Sequence, residues 1–199
     1  MTNGWLGRIA DSLRVRLELP LIERRAILGF DVEVVNTRPD IDSARVFERA
    51  RTVLERVDSY QPWRLAHLRR DIAGIVVKRF PCRGAYFSDS RTCLLELTFM
   101  ANEQFSDSQV ASCLVHEGMH ARLDRLNDKF GIAPFSVARA RHERLCRRAE
   151  LDFGEAVPDG APVIERALAS LDLEDEGVAP EIDWQEAAVK IQIADAAKR

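Results

Sequence analysis

Residues His116-Glu117-Gly118-Met119-His120 carry the clearest chemical signal in the chain, the pattern H-E-x-x-H. On a helix, two histidines four residues apart are offset by about 40° around the axis and one turn along it, so both imidazoles point to one side. That spacing can fill two of the four tetrahedral positions of a zinc ion. Glu117 follows the first histidine on an adjoining part of the surface. There it can hold a water beside the metal as general base without ligating. The plainer alternative is a helix with two ordinary histidines, one of them buried and hydrogen-bonded. Gly118 argues against it, because glycine in a helix interior costs about 1 kcal/mol relative to alanine and needs a packing or access reason.

The segment around this motif reads as helix. Ser106 is a natural N-cap and Gln109, three residues on, completes a capping box. Asp107 suits the positive end of the helix dipole, and Val110, Leu114, Ala121 and Leu123 recur at helical spacing. A zinc site needs a third protein ligand. After a turn at Gly131 to Pro134, a second helix from about Ser136 to Gly154 offers His142, Glu143 and Glu150. Glu143 and Glu150 are seven residues apart and share a face. Glu143 ranks first, because Cys146 three residues on is small enough for close helix approach; Glu150 ranks second and His142 third. The acid that does not ligate can support a ligand histidine through its free ring nitrogen. The competing reading for either glutamate is a surface ion pair with neighbouring arginines.

Other elements must position these two helices. Phe30 to Val35 alternates as a strand, and helices follow from Asp40 or Asp42 to Asp58 and from Pro62 to Asp71. His67 in the latter has no partner at ligand spacing and reads as structural or superficial. Residues 74–80, 84–88 and 92–100 read as strands, with Ser88 to Arg91 turning between the last two. A turn centred at 89–90 sets Cys93 opposite Tyr86. The third of these strands alternates as a half-buried antiparallel strand, with Leu94 as the exception. Residues 5–18 read as a short helix or arm, residues 161–173 as a helix, and Glu174 to Pro180 as an acidic linker before a terminal helix holding Trp184, Ala188 and Ile191. The class expected is α+β. Residues 1–73 would pack on a metal-binding core at 74–158, with an acidic helical extension at 159–199, all within one compact domain.

Composition agrees with a globular chain: of 199 residues, 46% are hydrophobic and 31% charged. No run of 18 apolar residues is present, so no transmembrane segment is expected. The N-terminus lacks the apolar block of a signal peptide, which makes a cytoplasmic location the expectation. The net charge of −3 hides an asymmetry, −9 from Glu150 onward (13 acids, 4 bases) and +6 before it. The five arginines between Arg139 and Arg148 are expected to pair with the acidic C-terminal third, and nucleic acid is disfavoured as a partner. The four cysteines form no C-x-x-C pair, and Cys113 and Cys146 read as small core residues.

A β-hairpin, a helix with H-E-G-M-H and a second helix with Glu143-Arg144-Leu145-Cys146 resemble the zincin metallopeptidases of the gluzincin type. That group takes its third ligand from a following helix, commonly as E-x-x-A; here Cys stands where Ala is usual. The 23 residues from His120 to Glu143 are similar to compact members, and the resemblance covers about residues 74–158. It implies a zincin-like fold with residues 92–100 beside the site and a substrate extended along a sheet edge. It further implies a Zn2+ cofactor on His116, His120 and Glu143 (Glu150 as second choice), Glu117 as general base, and a peptide or protein substrate. A Tyr or His commonly stabilises the oxyanion, for which the chain offers Tyr60, Tyr86, His67 and His142, besides arginines. Two other readings stand beside the hydrolase: a non-catalytic zincin-like protein that binds metal or a partner, and a helical interaction module with an accidental motif. Substrate identity and oligomeric state stay open.

Overall fold

The computed structural model describes residues 20–131, 135–181 and 183–196, so the arm expected at 5–18 lies outside the described residues. The chain is α+β, with a small mixed sheet of five strands and eight helices among those residues. Strands β1 (Leu21–Ile27) and β2 (Phe30–Asn36) form a hairpin whose two linking residues, Leu28 and Gly29, both have positive φ, 47° and 82°. That is the backbone a two-residue hairpin turn requires. β1 was not expected from the sequence: its burial pattern alternates only at the start, and Glu23, Arg24 and Arg25 suit an edge strand facing water.

The sheet runs β1-β2-β3-β5-β4, with β3 at Gly74–Lys78, β4 at Gly84–Phe87 and β5 at Thr92–Glu96. β2, β3 and β5 are mutually parallel, while β1 and β4 lie antiparallel on the two edges. A parallel neighbour needs a crossover, supplied between β2 and β3 by helices α1 (Ser43–Tyr60) and α2 (Pro62–Asp71). Asp42 caps α1 by accepting from the Ala44 amide at 2.9 Å. Val46, Phe47, Ala50, Val53, Leu54 and Val57 then bury one face of α1 in the core shared with the sheet. The β4–β5 hairpin has the register read from its turn, with Tyr86 opposite Cys93.

Two strand boundaries differ from expectation. Residues 92–100 are not one strand: β5 stops at Glu96, and Leu97–Ala101 form a short helix, α3. The Glu96 carboxylate makes the break, accepting from the Phe99 amide at 2.7 Å and the Thr98 hydroxyl at 2.6 Å. Nor is β5 a half-buried antiparallel strand. It lies between a parallel and an antiparallel neighbour with both faces covered, which is why Leu94 is apolar on the face expected to be polar. β3 likewise ends at Lys78, before Pro81, rather than at Phe80.

Helix α4 (Asp107–Phe130) carries the H-E-x-x-H motif and is held from several sides. Ser106 and Gln109 form the expected capping box, and Gly131 closes the other end in the left-handed conformation at φ 64°. From α1, Arg49 donates to the carbonyls of Met100 and Asn102, both at 2.8 Å, and reaches Asp107 at 3.1 Å, locking the approach to the helix. From α2, Leu68 occupies the space a side chain at Gly118 would need, within 2.3 Å of an added Cβ. The glycine is therefore a packing requirement. Helix α5 (Phe135–Ala156), kinked at Ala138, packs along α4, and α6 (Ala161–Leu171) packs on α5. The short α7 (Asp175–Val178) and the terminal α8 (Trp184–Ala196) complete the chain. Asp195 of α8 reaches back to Arg38 (3.1 Å) and Arg79 (3.0 Å), tying that helix to the end of the sheet.

Candidate metal centre

The two motif histidines do converge. His116 and His120 present their Nε2 atoms 3.2 Å apart on the inner side of α4. α5 brings Glu143 against both: its carboxylate oxygens lie 3.3 Å from His116 Nε2 and 3.4 Å from His120 Nε2. Tetrahedral ligands bonded at about 2.0–2.1 Å are separated by about 3.3–3.4 Å along an edge. The three atoms thus stand at the spacing of three corners around one divalent cation.

Glu150, the other glutamate, sits behind His116 with one oxygen 2.7 Å from Nδ1. The ring N–H is poorly aligned on it, so the two interact by charge more than through a straight hydrogen bond. Arg147 donates to the same oxygen at 2.8 Å. The two acids, seven residues apart, thus take different positions, Glu143 against both imidazoles and Glu150 behind the His116 ring. His142, the third candidate, is buried and lines the same cleft.

Cys146 is where the structure adds to the sequence reading. It is fully buried, as a core residue would be, yet His116, His120 and Cys146 form a group whose donor atoms all lie within 4.8 Å of one another and that could bind a metal ion. Its place three residues beyond Glu143 puts it on the same helix face, and that spacing was the signal available in the sequence. Of the two α5 donors, Glu143 fits the tetrahedral edge more closely. Cys146 is the additional donor within reach.

The electrostatics follow from this crowding. Burial alone would lower the pKa of His116, but its contacts to Glu143 and Glu150 outweigh that and hold it up at about 9. Burial would raise Glu143, yet the two histidines hold its carboxyl well below the usual carboxylate range. Glu117 moves the other way. Burial, with the charges of Glu143 and Glu150, raises it above an ordinary glutamate despite the opposing pull of the histidines.

The centre opens into a cleft of about 580 Å³ between α4, α5 and the start of β4, with Val178, Ala179 and Pro180 on its rim. The acidic C-terminal third therefore borders the site, and the arginines of α5 hold it there: Arg139 donates to the Pro180 carbonyl, and Arg144 to the carbonyls of Leu171 (2.9 Å) and Leu173 (2.8 Å) and to Asp175 (2.9 Å). Gly84 is the residue the sequence reading passed over. A Cβ there would lie 2.8 Å from a Glu117 oxygen and 2.6 Å from Cys113 Sγ, so only glycine lets β4 run this close over the motif. Tyr86, two residues further along β4, donates its hydroxyl to Asp124 at 3.0 Å, and burial with that bond keeps the phenol protonated. Tyr60 lies on the exposed end of α1 and His67 against Trp63 on the far side of α4, both away from the cleft. Among the described residues, no helix is long and apolar enough to cross a membrane. Compared with protein-family models, curated proteins and solved structures, the chain matches none.

Proposed function

We propose that this protein is a zinc-dependent peptide hydrolase, with His116, His120 and Glu143 holding Zn2+ and Glu117 acting as general base. The observation that carries the reading is the set of near-equal separations, 3.2, 3.3 and 3.4 Å, among donors from α4 and α5. Two imidazoles, a carboxylate and a nearby thiol form a donor set suited to zinc rather than to magnesium or calcium, which prefer oxygen. When bound, the metal supplies Lewis-acid polarisation of a carbonyl and a lowered pKa for nearby water.

The chain's own residues account for the rest. Glu117, buried and with its pKa raised, is matched to taking a proton from the attacking water and returning it to the departing amine as the C–N bond breaks. Glu150 orients the His116 ring from behind. Among the described residues β4 pairs with β5 alone, which leaves its other edge unpaired there, and Gly84, Ala85 and Tyr86 line the cleft. An extended peptide can add there as a further strand, with its scissile carbonyl above Glu117. Of the candidate oxyanion donors, His142 and the arginines Arg83, Arg139, Arg147 and Arg166 border the cleft, as does Tyr86, whose hydroxyl would first have to leave Asp124. The likeness to gluzincins rests on this combination of edge strand, motif helix and glutamate helix.

The proximity of Cys146 favours one second reading. A centre that also used its thiolate would have four protein ligands, closing the position a substrate needs and making the metal structural. One experiment separates the two. The purified protein should carry one equivalent of zinc by elemental analysis and cleave an unstructured protein such as casein. Glu117→Gln should keep the zinc and lose about 10²–10⁴-fold in rate. Zinc retention with no cleavage by either protein would favour the structural metal, and equal cleavage by both would remove Glu117 as the base.

A further inference from the structure

Arg83, Arg147 and Arg166 line the cleft together, and Glu150 is an acid that all three share. Arg147 is tied to Glu150, whose charge is already shared with His116, and the Arg147 Nε is buried without a partner. Arg83, just before β4, and Arg166, on α6, line the same cavity. Among the described residues neither guanidinium pairs with a carboxylate. Arg83 instead lies over the rings of Phe105 and Phe99, at 4.5 and 5.2 Å, and its backbone carbonyl is held by the Glu96 amide at 2.9 Å. Aromatic stacking on one side and backbone pinning below leave its fork fixed and preorganised. Burial lowers the pKa of Arg83, and the like charges of Arg166 and Arg147 lower it further, against the smaller opposing pulls of Cys113 and Glu150. Cys113 gives no real compensation, since burial holds its thiol neutral.

Two half-buried cations near each other, with Glu150 acting on both from a distance and, among the described residues, no carboxylate in direct contact with either, are unfavourable in the free protein, and an incoming anion relieves that cost. On the reading that the cleft binds peptides, we propose that Arg83 and Arg166 form a carboxylate-binding subsite that selects substrates presenting an acidic group to the inner end of the cleft. Guanidinium forks match a carboxylate in a bidentate way, and the chain Arg147–Glu150–His116 places the subsite beside the metal ligands. The carboxylate can come from a Glu or Asp side chain or from a free C-terminus. The shared chemistry is the same, and the test distinguishes them.

Binding can be read without turnover in the Glu117→Gln protein, by calorimetric titration with four matched hexapeptides. These carry Glu or Gln at one internal position, each with a free or an amidated C-terminus. The expected result is at least tenfold tighter binding for whichever carboxylate is recognised, with a preference that weakens as salt rises. Arg166→Gln should erase that preference and Arg166→Lys should restore part of it, both variants keeping the wild-type circular dichroism and melting temperature. Equal binding of all four peptides, binding of none, or a preference that survives Arg166→Gln would overturn the subsite. Because titration does not depend on cleavage, a preserved charge preference with no hydrolysis by wild type would count against the hydrolase and leave the subsite standing. Cleavage without charge preference would do the reverse.

Discussion

Helix α4 has a concave surface on each side, and the two are chemically opposite. On the inner side, the cleft gathers His116, Glu117, His120, Glu143 and Glu150. On the outer side a smaller groove of about 340 Å³ lies between α2, α4 and α5, lined by Trp63, Leu68, Val115 and Met119. That groove also contains a histidine, His67, but its charged surroundings are mainly arginines. Burial lowers its pKa, and Arg122, Arg70 and Arg64 lower it further against the weaker pull of Asp71. Among the described residues, the donor group able to hold a metal is His116, His120 and Cys146, and His67 does not belong to it. Both surfaces are concave and both hold an imidazole. The difference lies in which residue types the neighbouring helices bring to it, and concavity alone is a poor guide to chemistry.

The contrast is broken most directly at the inner ligands. Glu143→Ala should lose most of the bound zinc and with it any hydrolysis; unchanged zinc stoichiometry by elemental analysis would pass the ligand corner to Cys146. Glu150→Gln should act one step removed, weakening zinc affinity by about 10–100-fold while a site still forms. A competition titration with a chelating dye reads this, and a loss as large as that of Glu143→Ala would exchange the two roles.

A third test uses pH in the metal-free protein. His116 has its pKa raised to about 9 in the fold, so its protonated form adds stability that is fully present below its unfolded value of about 6.5 and is lost as pH rises through about 9. The melting temperature in chelator should therefore fall between these values, and His116→Asn should flatten the fall. Saturating zinc should also remove it, because metal requires the neutral ring. A metal-free melting temperature that stays level across this range would contradict the assigned contacts to Glu143 and Glu150.

The outer side should respond through packing alone. Gly118→Ala forces a methyl into Leu68, an overpacking worth about 1–3 kcal/mol of stability. Leu68→Ala should relieve that clash in the double variant, a non-additivity visible in denaturant titration, and zinc content should not change. The smallest effect is expected from His67→Ala, within about 0.5 kcal/mol and with no change in zinc. A drop in bound metal from either outer-side variant would dissolve the division between the two faces.

Much of the site was legible in the chain because helical periodicity is local. The His116–His120 spacing, the Ser106–Gln109 cap and the common face of Glu143 and Glu150 follow from 3.6 residues per turn, and each appears in the folded helices. Local pattern also set the Tyr86–Cys93 register, since a short turn leaves few alternatives. The same reasoning failed at Thr92–Met100, where alternation continued past Glu96 but a side-chain cap ended the strand.

By itself, then, the amino-acid sequence determined the α+β class, the motif helix, and the residues able to reach a metal from one face of each helix. Only the tertiary structure decided that Glu143 lies against both imidazoles with Glu150 behind His116, that Cys146 joins the histidines, and that Gly84 and Gly118 are glycines because Glu117 and Leu68 occupy their side-chain space. The reason is physical. Periodicity states which way a side chain points on its own element, whereas the rotation and separation of two packed helices, and the approach of a strand, depend on side chains far away in the chain.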